Sequence, residues 1–277
     1  MSETAPNKAP RRWGDYLLNG FTFLVYIFMF APIIVVILLS FNSSDFGAFP
    51  IEGLSLRWFE KLWSNEVIIH AFITSASLGI LTALIGTLVA MMSAMALVRY
   101  RVPGRKLFSS LTIAPLLIPE TALAVGLLLL LRSLGLPRTY MLLLIGHVLI
   151  TLPFAFLVIQ ARLSGLGKTY EEAAASLGAN ALTVFREITL PLTAPALVAA
   201  LLFAFTISFD NLTASLFWRP NGIETVPTQI FAMLKDSVSP EINALGTVMV
   251  SITIGLSLLA GAIGSQLASQ AGSGPKP

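Results

Sequence analysis

The sequence predicts an all-α, polytopic membrane protein with six transmembrane helices. Of its 277 residues, 56% are hydrophobic and only 11% are charged, and the mean hydropathy is +0.83. Soluble domains carry about 25% charged residues, so lipid must solvate much of this chain. Six apolar stretches each reach the roughly 20 residues that a helix needs to cross the hydrocarbon core. Backbone groups in lipid must be satisfied internally, and the alternating segments of a membrane β-barrel are absent, so helices are the predicted structure.

The first apolar stretch follows a polar segment, residues 1–16. A signal peptide has an apolar region of roughly 7–15 residues. The stretch here is longer and further spans follow it, so we expect an uncleaved first helix. In chain order, the predicted spans cover residues 17–40, 70–98, 107–131, 140–160, 194–217 and 243–268.

The segments between the spans define the predicted organisation. Trp58, Phe59 and Trp63 stand among charged residues in the outer loop 41–69, a pattern typical of a helix lying in the membrane interface. No segment is long enough for a soluble domain of useful size, so an energy source or a capture protein would be a separate chain. The predicted parts are a cytoplasmic N-terminal segment (1–16), the first helix with its outer loop (17–69), a five-helix core (70–268) that contains a cytoplasmic loop (161–191), and a flexible cytoplasmic tail (269–277).

The basic residues predict the orientation, because cytoplasmic loops of membrane proteins are enriched in Lys and Arg. With the N-terminus inside, 11 of the 17 Lys and Arg residues face the cytoplasm. The basic run at residues 99–106 is the sharpest single marker. Both termini are therefore expected in the cytoplasm.

The chain lacks the residue patterns of a catalytic or metal site. It contains no cysteine, and its two histidines, His70 and His147, are far apart in sequence. No G-x-x-x-x-G-K-[ST], G-x-S-x-G or H-E-x-x-H pattern occurs. We therefore expect no catalytic residue, no metal ligand and no cofactor on this chain, which would not be an enzyme. The net charge of +3 bears on topology, so nucleic acid is not an expected partner.

The longest predicted cytoplasmic stretch lies between the fourth and fifth spans. Thr169 and Glu172 have the spacing of a capping box at a helix start, and Gly178 supplies a left-handed stop. Asn180 can cap a second short helix that runs to about residue 188, and Pro191 introduces the next span.

This Ala-rich segment is open to two interpretations from its residues alone. It is either an ordinary interfacial turn or a docking element, because a short helix of small residues has a thin profile that fits a groove on another protein. Glu171 and Glu172 favour the positive end of the helix, and they would also be able to pair with basic groups of a partner.

The spacing in this loop resembles a known signature. Glu172-Ala173-Ala174, Gly178 and the run Ile188-x-Leu190-Pro191 are similar to the EAA motif of permease subunits of binding-protein-dependent ABC importers. The resemblance implies the MetI-like permease fold and a coupling loop that docks on an ATP-binding subunit, with Glu172, Ala173 and Gly178 as the docking core. The implied coupling residues are Glu171, Glu172, Ala173, Ala174, Gly178, Ile188, Leu190 and Pro191.

A closer resemblance, to permeases of the spermidine/putrescine class, covers most of the chain. Its motifs are Ala114-Pro115 with Pro119-Glu120, Gly146-His147-Val148, Ser208-Phe209-Asp210-Asn211, and Pro240-Glu241 with Asn243-Ala244-Leu245. In polyamine systems the position of Asn211 is often acidic. The resemblance implies two ATP-binding subunits that bind ATP and Mg²⁺, a second, related permease, a periplasmic or surface solute-binding protein, the bacterial inner membrane, and a small cationic solute of the polyamine class.

Polar groups inside the spans are the candidates for a solute path. Glu120 falls near the middle of the third predicted span, which Pro115 and Pro119 should kink. Asp210 lies outward of the centre of the fifth span, next to Asn211. The predicted path comprises Glu120, Asp210 and Asn211, with Phe209 and Trp218 as stacking partners for a cation.

Each of these polar groups also has a plain packing interpretation, since polar side chains bind neighbouring helices together. His147 is assigned to packing on this ground. Gly79 and Gly86 in the second span are predicted sites of close helix contact, as are Gly255, Gly261 and Gly264 in the sixth.

Two rival functions remain at this stage. A secondary transporter driven by an ion gradient would favour inverted internal repeats, and no convincing repeat is visible. A membrane-embedded enzyme or assembly factor is the other alternative.

Overall fold

The computed structural model describes residues 13–236 and 239–272. The basic residues of the N-terminal segment before residue 13, and the end of the predicted tail after residue 272, lie outside the described residues. The all-α class is confirmed, and the helices in chain order are α1 (Trp13–Ser40), α2 (Arg57–Ser64), α3 (Glu66–Arg99), α4 (Arg105–Leu117), α5 (Glu120–Ser133), α6 (Tyr140–Gly165), α7 (Thr169–Ser176), α8 (Ala181–Val184), α9 (Leu190–Phe209), α10 (Thr213–Trp218), α11 (Val226–Asp236) and α12 (Pro240–Gly272).

In the part of the chain that the structure describes, five helical stretches are long and apolar enough to cross a membrane. They are α1, α3, α6, the continuous stretch Ala181–Phe209, and the part of α12 that covers Pro240–Gly264. The helix pair α4 and α5 makes a sixth span if it is counted as one bent crossing. The number and order of the predicted spans therefore hold, with two changes of shape.

The first change concerns the third span, which is bent by 107° between α4 and α5. Pro119 lacks the N–H that would continue the helix, and a proline disfavours helical geometry at the residue before it. Ile118 accordingly has an extended backbone, with φ −93° and ψ 131°. The prediction of a kink was correct, and Glu120 lies near the middle of the bent span, where it is the first residue of α5.

The second change concerns the fifth span, which ends at Phe209 instead of continuing to residue 217. The side-chain oxygen of Asn211 accepts a hydrogen bond from the backbone N–H of Ala214 at 2.8 Å. Asn side chains compete in this way with the helix ladder and favour a new start. The chain therefore breaks at residues 210–212 and restarts as the short α10.

The core is built where α3, α6 and α9 pack together. A Cβ at Gly79 would lie 2.9 Å from the ring of Phe205, and one at Gly86 would lie 3.3 Å from Thr151 Oγ1. These contacts confirm the close helix packing predicted for the second span. In α12, by contrast, Cβ atoms at Gly255, Gly261 and Gly264 would meet nothing within 4 Å. The same prediction for the sixth span was wrong within this chain, since its glycines lie on an open face.

The outer loop between α1 and α3 folds around Asn42. Its side-chain oxygen accepts hydrogen bonds from the N–H groups of Ser44 and Glu52, each at 3.1 Å. Trp58 on α2 donates its indole N–H to the Asn42 carbonyl at 2.8 Å and is buried. The predicted helix is therefore present, with Trp58 packed inward and Trp63 exposed.

Candidate coupling loop and solute path

The loop between α6 and α9 contains two short helices separated by a sharp turn. Gly178 has φ +90°, a backbone conformation that side chains disfavour. Asn180 caps α8 by accepting a hydrogen bond from the N–H of Thr183 at 2.9 Å. The predicted stop at Gly178 and the predicted cap at Asn180 are confirmed. The predicted capping box was wrong, because α7 has Lys168 at its N-cap and no side-chain cap bond.

The second short helix, α8, is continuous with the helix of the fifth span, α9. A π turn, Phe185–Thr189, joins α8 directly to α9, and the N–H of Leu190 bonds the Phe185 carbonyl. Ile188 lies within this turn, and Pro191 is at the start of α9. The carboxyl-terminal half of the signature is therefore part of the same continuous helical stretch as the fifth span, Ala181–Phe209.

The face of the loop that points away from the spans is exposed and partly apolar. Glu172, Ala173 and Gly178 are all exposed, and Ala174 is half-buried. Leu177 is 89% exposed and Leu182 is 65% exposed. Such large apolar side chains on a thin polar loop are typical of a contact surface for another protein.

Glu171 points the other way, into the chain. Its carboxylate oxygens lie 3.0 and 2.8 Å from Nε of Arg99, and one of them accepts a hydrogen bond from the Thr189 hydroxyl at 2.8 Å. Arg99 of the same chain therefore supplies a basic group for Glu171, and pairing of the two loop acids with a partner stays a prediction. From the sequence, Arg99 was used only to predict topology. Arg99 ends the second span, and the loop carries two adjacent acids, Glu171 and Glu172. These positions were the available signal for an ion pair.

The bend of the third span and the break of the fifth meet at one point. The side-chain amide of Asn211 donates to a carboxylate oxygen of Glu120 at 2.6 Å. Glu120 is exposed in the isolated chain. The structure therefore brings together two of the residues predicted for the solute path, at places where the helix backbone is interrupted.

Asp210 caps the carboxyl end of α9 and is also exposed. Its two carboxylate oxygens accept the Thr253 hydroxyl of α12 at 3.3 and 3.1 Å. A groove of about 530 Å³ opens beside it, and apart from Asp210 and Thr253 its lining is apolar, with Phe30, Ile33 and Met249 among its walls. Within residues 13–236 and 239–272, neither Asp210 nor Glu120 forms an ion pair.

Phe209 and Trp218 are both packed inside the chain. Phe209 is buried and stacks on Phe205 at 5.3 Å between ring centroids. Trp218 is fully buried and donates its indole N–H to the Ala124 carbonyl at 2.9 Å. The prediction that these rings stack on a cation is corrected, because both rings are occupied by packing within the chain.

His147 lies beside Trp218 in the core. Its Nδ1 is 2.8 Å from Ser208 Oγ and its Nε2 is 3.3 Å from Ser215 Oγ. It is the hydrogen-bonded packing residue that the sequence predicted, and it joins α6 to both sides of the break between α9 and α10. Among the described residues, no group of three His, Cys, Asp or Glu side chains is arranged to hold a metal ion.

Comparison with known proteins bears directly on the loop and the spans. A family model described as "Binding-protein-dependent transport system inner membrane component" matches residues 84–270, which include α7, the Gly178 turn and both carboxylates. The chain belongs to this family. As a binding-protein-dependent transport component, it is a multi-pass inner-membrane permease. This assignment confirms the main functional prediction, and it does not support the alternative of a carrier driven by an ion gradient.

Three similar proteins carry the names of transport components. The chain is 36% identical to the spermidine/putrescine transport system permease protein PotC of Haemophilus influenzae, over 88% of this chain and 95% of the relative. The PotC protein of Escherichia coli K12 is 34% identical, over 87% and 91%. The putrescine transport system permease protein PotI of the same organism is 35% identical, over 84% and 83%.

Solved structures of ABC transporters share the fold. A chain of a bacterial transporter that imports the acidic polysaccharide alginate matches with a TM-score of 0.64 and 18% identity, over 94% of this permease and 99% of that chain. A chain of the MetNI methionine transporter, in an inward-facing conformation, matches with a TM-score of 0.62 and 14% identity, over 75% and 98%. At these identities the likeness concerns the fold, and it confirms the MetI-like class.

Proposed function

We propose that this permease is one membrane subunit of an ATP-driven importer that carries a small cationic solute of the polyamine class. Its relatives at 34–36% identity are named as spermidine and putrescine permeases. The single observation that carries the proposal is the pair of exposed carboxylates, Glu120 and Asp210, which have no ion-pair partner in the described chain.

A carboxylate at membrane depth costs several kcal/mol unless water or an opposite charge accompanies it. A passing cation supplies that charge, and the groove beside Asp210 suits the rest of a polyamine. Its walls are mainly apolar, so they favour a methylene chain, while the carboxylate receives an ammonium end. Glu120, Asp210 and Asn211 are the path residues of this proposal.

The energy for transport comes from other chains in this proposal. Two ATP-binding subunits carry ATP and Mg²⁺, a second, related permease completes the path, and a periplasmic solute-binding protein delivers the solute. The exposed loop face with Glu172, Ala173 and Gly178 docks on an ATP-binding subunit. Closure of the ATPase pair then moves this loop, and the spans alternate between outward- and inward-open states.

The orientation and the division of the chain are part of the same proposal. Both termini lie in the cytoplasm, as the distribution of Lys and Arg supports. Residues 70–268 form the permease core with the coupling loop 161–191, residues 17–69 form the first helix and its outer loop, and residues 1–16 and 269–277 are cytoplasmic ends.

The path residues are tested by Asp210→Asn and Glu120→Gln in the complete transporter. Each change removes one charge from the path at nearly constant volume. A charge-assisted contact is worth about 1.5–3 kcal/mol, so uptake of labelled putrescine or spermidine should fall by about tenfold or more. Glu52→Gln, on the exposed outer loop, is the matched control and should leave uptake unchanged. Uptake within about twofold of the unmodified transporter in both path variants would contradict the proposed path.

A further inference from the structure

The helix α7 is held to the spans in an unusual way. None of its residues is fully buried, although Ala174 is half-buried and the Glu171 side chain is only 17% exposed, so apolar packing contributes little to its position. Among the described residues, the side-chain hydrogen bonds and ion pairs that join Thr169–Ser176 to the spans are all made by Glu171. The N-cap residue Lys168 adds one hydrogen bond, from Nζ to the Arg99 carbonyl at 3.3 Å. The other side-chain bond of this helix, from Ser176 to the Glu172 carbonyl, is internal to it.

Arg99 receives Glu171 on the span side. It is the last residue of α3, and its side chain is only 8% exposed. Its Nη1 and Nη2 groups donate to the carbonyls of Leu163 and Leu166 at 3.1 and 3.0 Å. Carbonyls at the end of a helix lack intrahelical partners and attract cations, so Arg99 also fastens α3 to the end of α6.

Thr189 holds the other side of the same carboxylate. It is 3% exposed and lies at the end of the π turn that leads into α9. One carboxylate therefore connects α7 with the ends of α3 and α6 and with the start of α9. The planar Arg99 guanidinium presents Nε to the carboxylate and its two Nη groups to carbonyls at the end of α6, so it constrains orientation as well as distance.

We propose that Glu171 is the anchor inside the chain through which a displacement of α7 reaches the spans, while its neighbour Glu172 faces the ATP-binding partner. A largely buried charge is costly to leave unpaired, so the Arg99–Glu171–Thr189 set moves as a unit and does not let α7 slide over the spans. This inference rests on the proposed function, because it assigns a part in transmitting ATP-driven motion.

The two neighbouring acids permit a matched comparison in the full transporter, reconstituted with its ATP-binding subunits, partner permease and solute-binding protein. Glu171→Ala removes the anchor but leaves the exposed face intact. We expect the complex to remain assembled and to hydrolyse ATP, while the number of solute molecules carried per ATP falls by about tenfold. Glu172→Ala, on the exposed docking face, should instead reduce recovery of the ATP-binding subunits with the permease.

Two smaller changes keep the inference testable if Glu171→Ala misfolds. Glu171→Gln retains the shape and part of the hydrogen bonding, and Thr189→Val removes only the hydroxyl. Both should give an intermediate loss of solute carried per ATP. A structural role alone would lower the yield of complex without changing this ratio, and an unchanged ratio in these variants would overturn the inference. If the unmodified chain failed to bind any ATP-binding subunit, the proposed function itself would fail, whatever the variants do.

Discussion

At the scale of single residues, one glycine sets how closely α6 and α10 approach. An ideal Cβ at Gly146 would lie 2.1 Å from a ring carbon of Trp218, a distance that no side chain tolerates. The Trp218 ring fills this position completely and reaches the Ala124 carbonyl with its N–H group. The buried Trp218 ring of α10 thus contacts both α5 and α6 and holds the three helices together.

Gly146→Ala is therefore expected to destabilise the permease. Overpacking of this kind costs about 1–3 kcal/mol, so the midpoint of thermal unfolding in detergent should fall. Gly126→Ala in α5 is the matched control, since a Cβ there meets nothing within 4 Å and alanine is the better helix former by about 0.5–1 kcal/mol. Equal midpoints for the two variants would contradict the packing described for Trp218.

The sequence predicted some of these residue contacts and missed others. Gly79 and Gly86 were identifiable because small residues recur along one span and mark helix contacts in membranes. Trp218 was assigned to the solute path because a tryptophan near a carboxylate suggests cation binding. Its burial against Gly146 joins residues that are distant in sequence, and a single sequence contains no signal for such a pairing.

At the scale of elements, the interruptions of the helices determine where polar groups collect. Pro119 breaks the third span, residues 210–212 break the fifth, and Glu120 and Asn211 meet between the two breaks. The π turn before Pro191 is a third irregularity, and π turns inside helices are frequent at functional sites. Pro115 and Pro119 predicted a kink in the third span, whereas the break of the fifth span was not predicted. The 107° bend depends on packing that local sequence does not encode.

The turn between α7 and α8 gives an element-scale prediction. Gly178 has φ +90°, and a residue with a side chain loses about 1–2 kcal/mol in that conformation. Gly178→Ala should therefore distort the exposed face of the loop. A loss of this size in the free energy of docking reduces recovery of the ATP-binding subunits by roughly five- to thirtyfold.

Gly165→Ala at the end of α6 is the control for this change, because a Cβ there is unobstructed and its backbone is ordinary. Membrane insertion of both variants should match that of the unmodified chain. Recovery of ATP-binding subunits that does not differ between the two variants would argue against docking through this turn.

At the scale of the whole molecule, composition and hydrophobic length were sufficient to predict an all-α membrane protein with up to six spans. The spacing of the loop signature was sufficient to predict the permease family, which the family match confirms. Neither property indicated that Glu171 and Glu172, adjacent in sequence, face opposite ways. That division depends on Arg99, which reaches the loop only after α3 and α6 have packed side by side.

The open faces of the molecule also have meaning at this scale. Most side chains of α1 are exposed, and a Cβ added at Gly255, Gly261 or Gly264 of α12 would have no neighbour within 4 Å. Lipid and a second permease are the expected neighbours of these faces. In the proposed function, a partner permease covers the exposed Glu120 and Asp210 and completes the path.

The central claim is that the loop between α6 and α9 is a cytoplasmic contact for an ATP-binding subunit, and cysteine labelling tests it most directly. The chain contains no cysteine, so Leu177→Cys and Phe46→Cys introduce single thiols at side chains that are 89% and 77% exposed. A membrane-impermeant maleimide should label the thiol at position 46 in cells whose inner membrane is intact and whose outer membrane does not block the reagent. It should label the thiol at position 177 only in inside-out vesicles, and bound ATP-binding subunits should protect that thiol. Labelling of position 177 from outside intact cells would contradict the account.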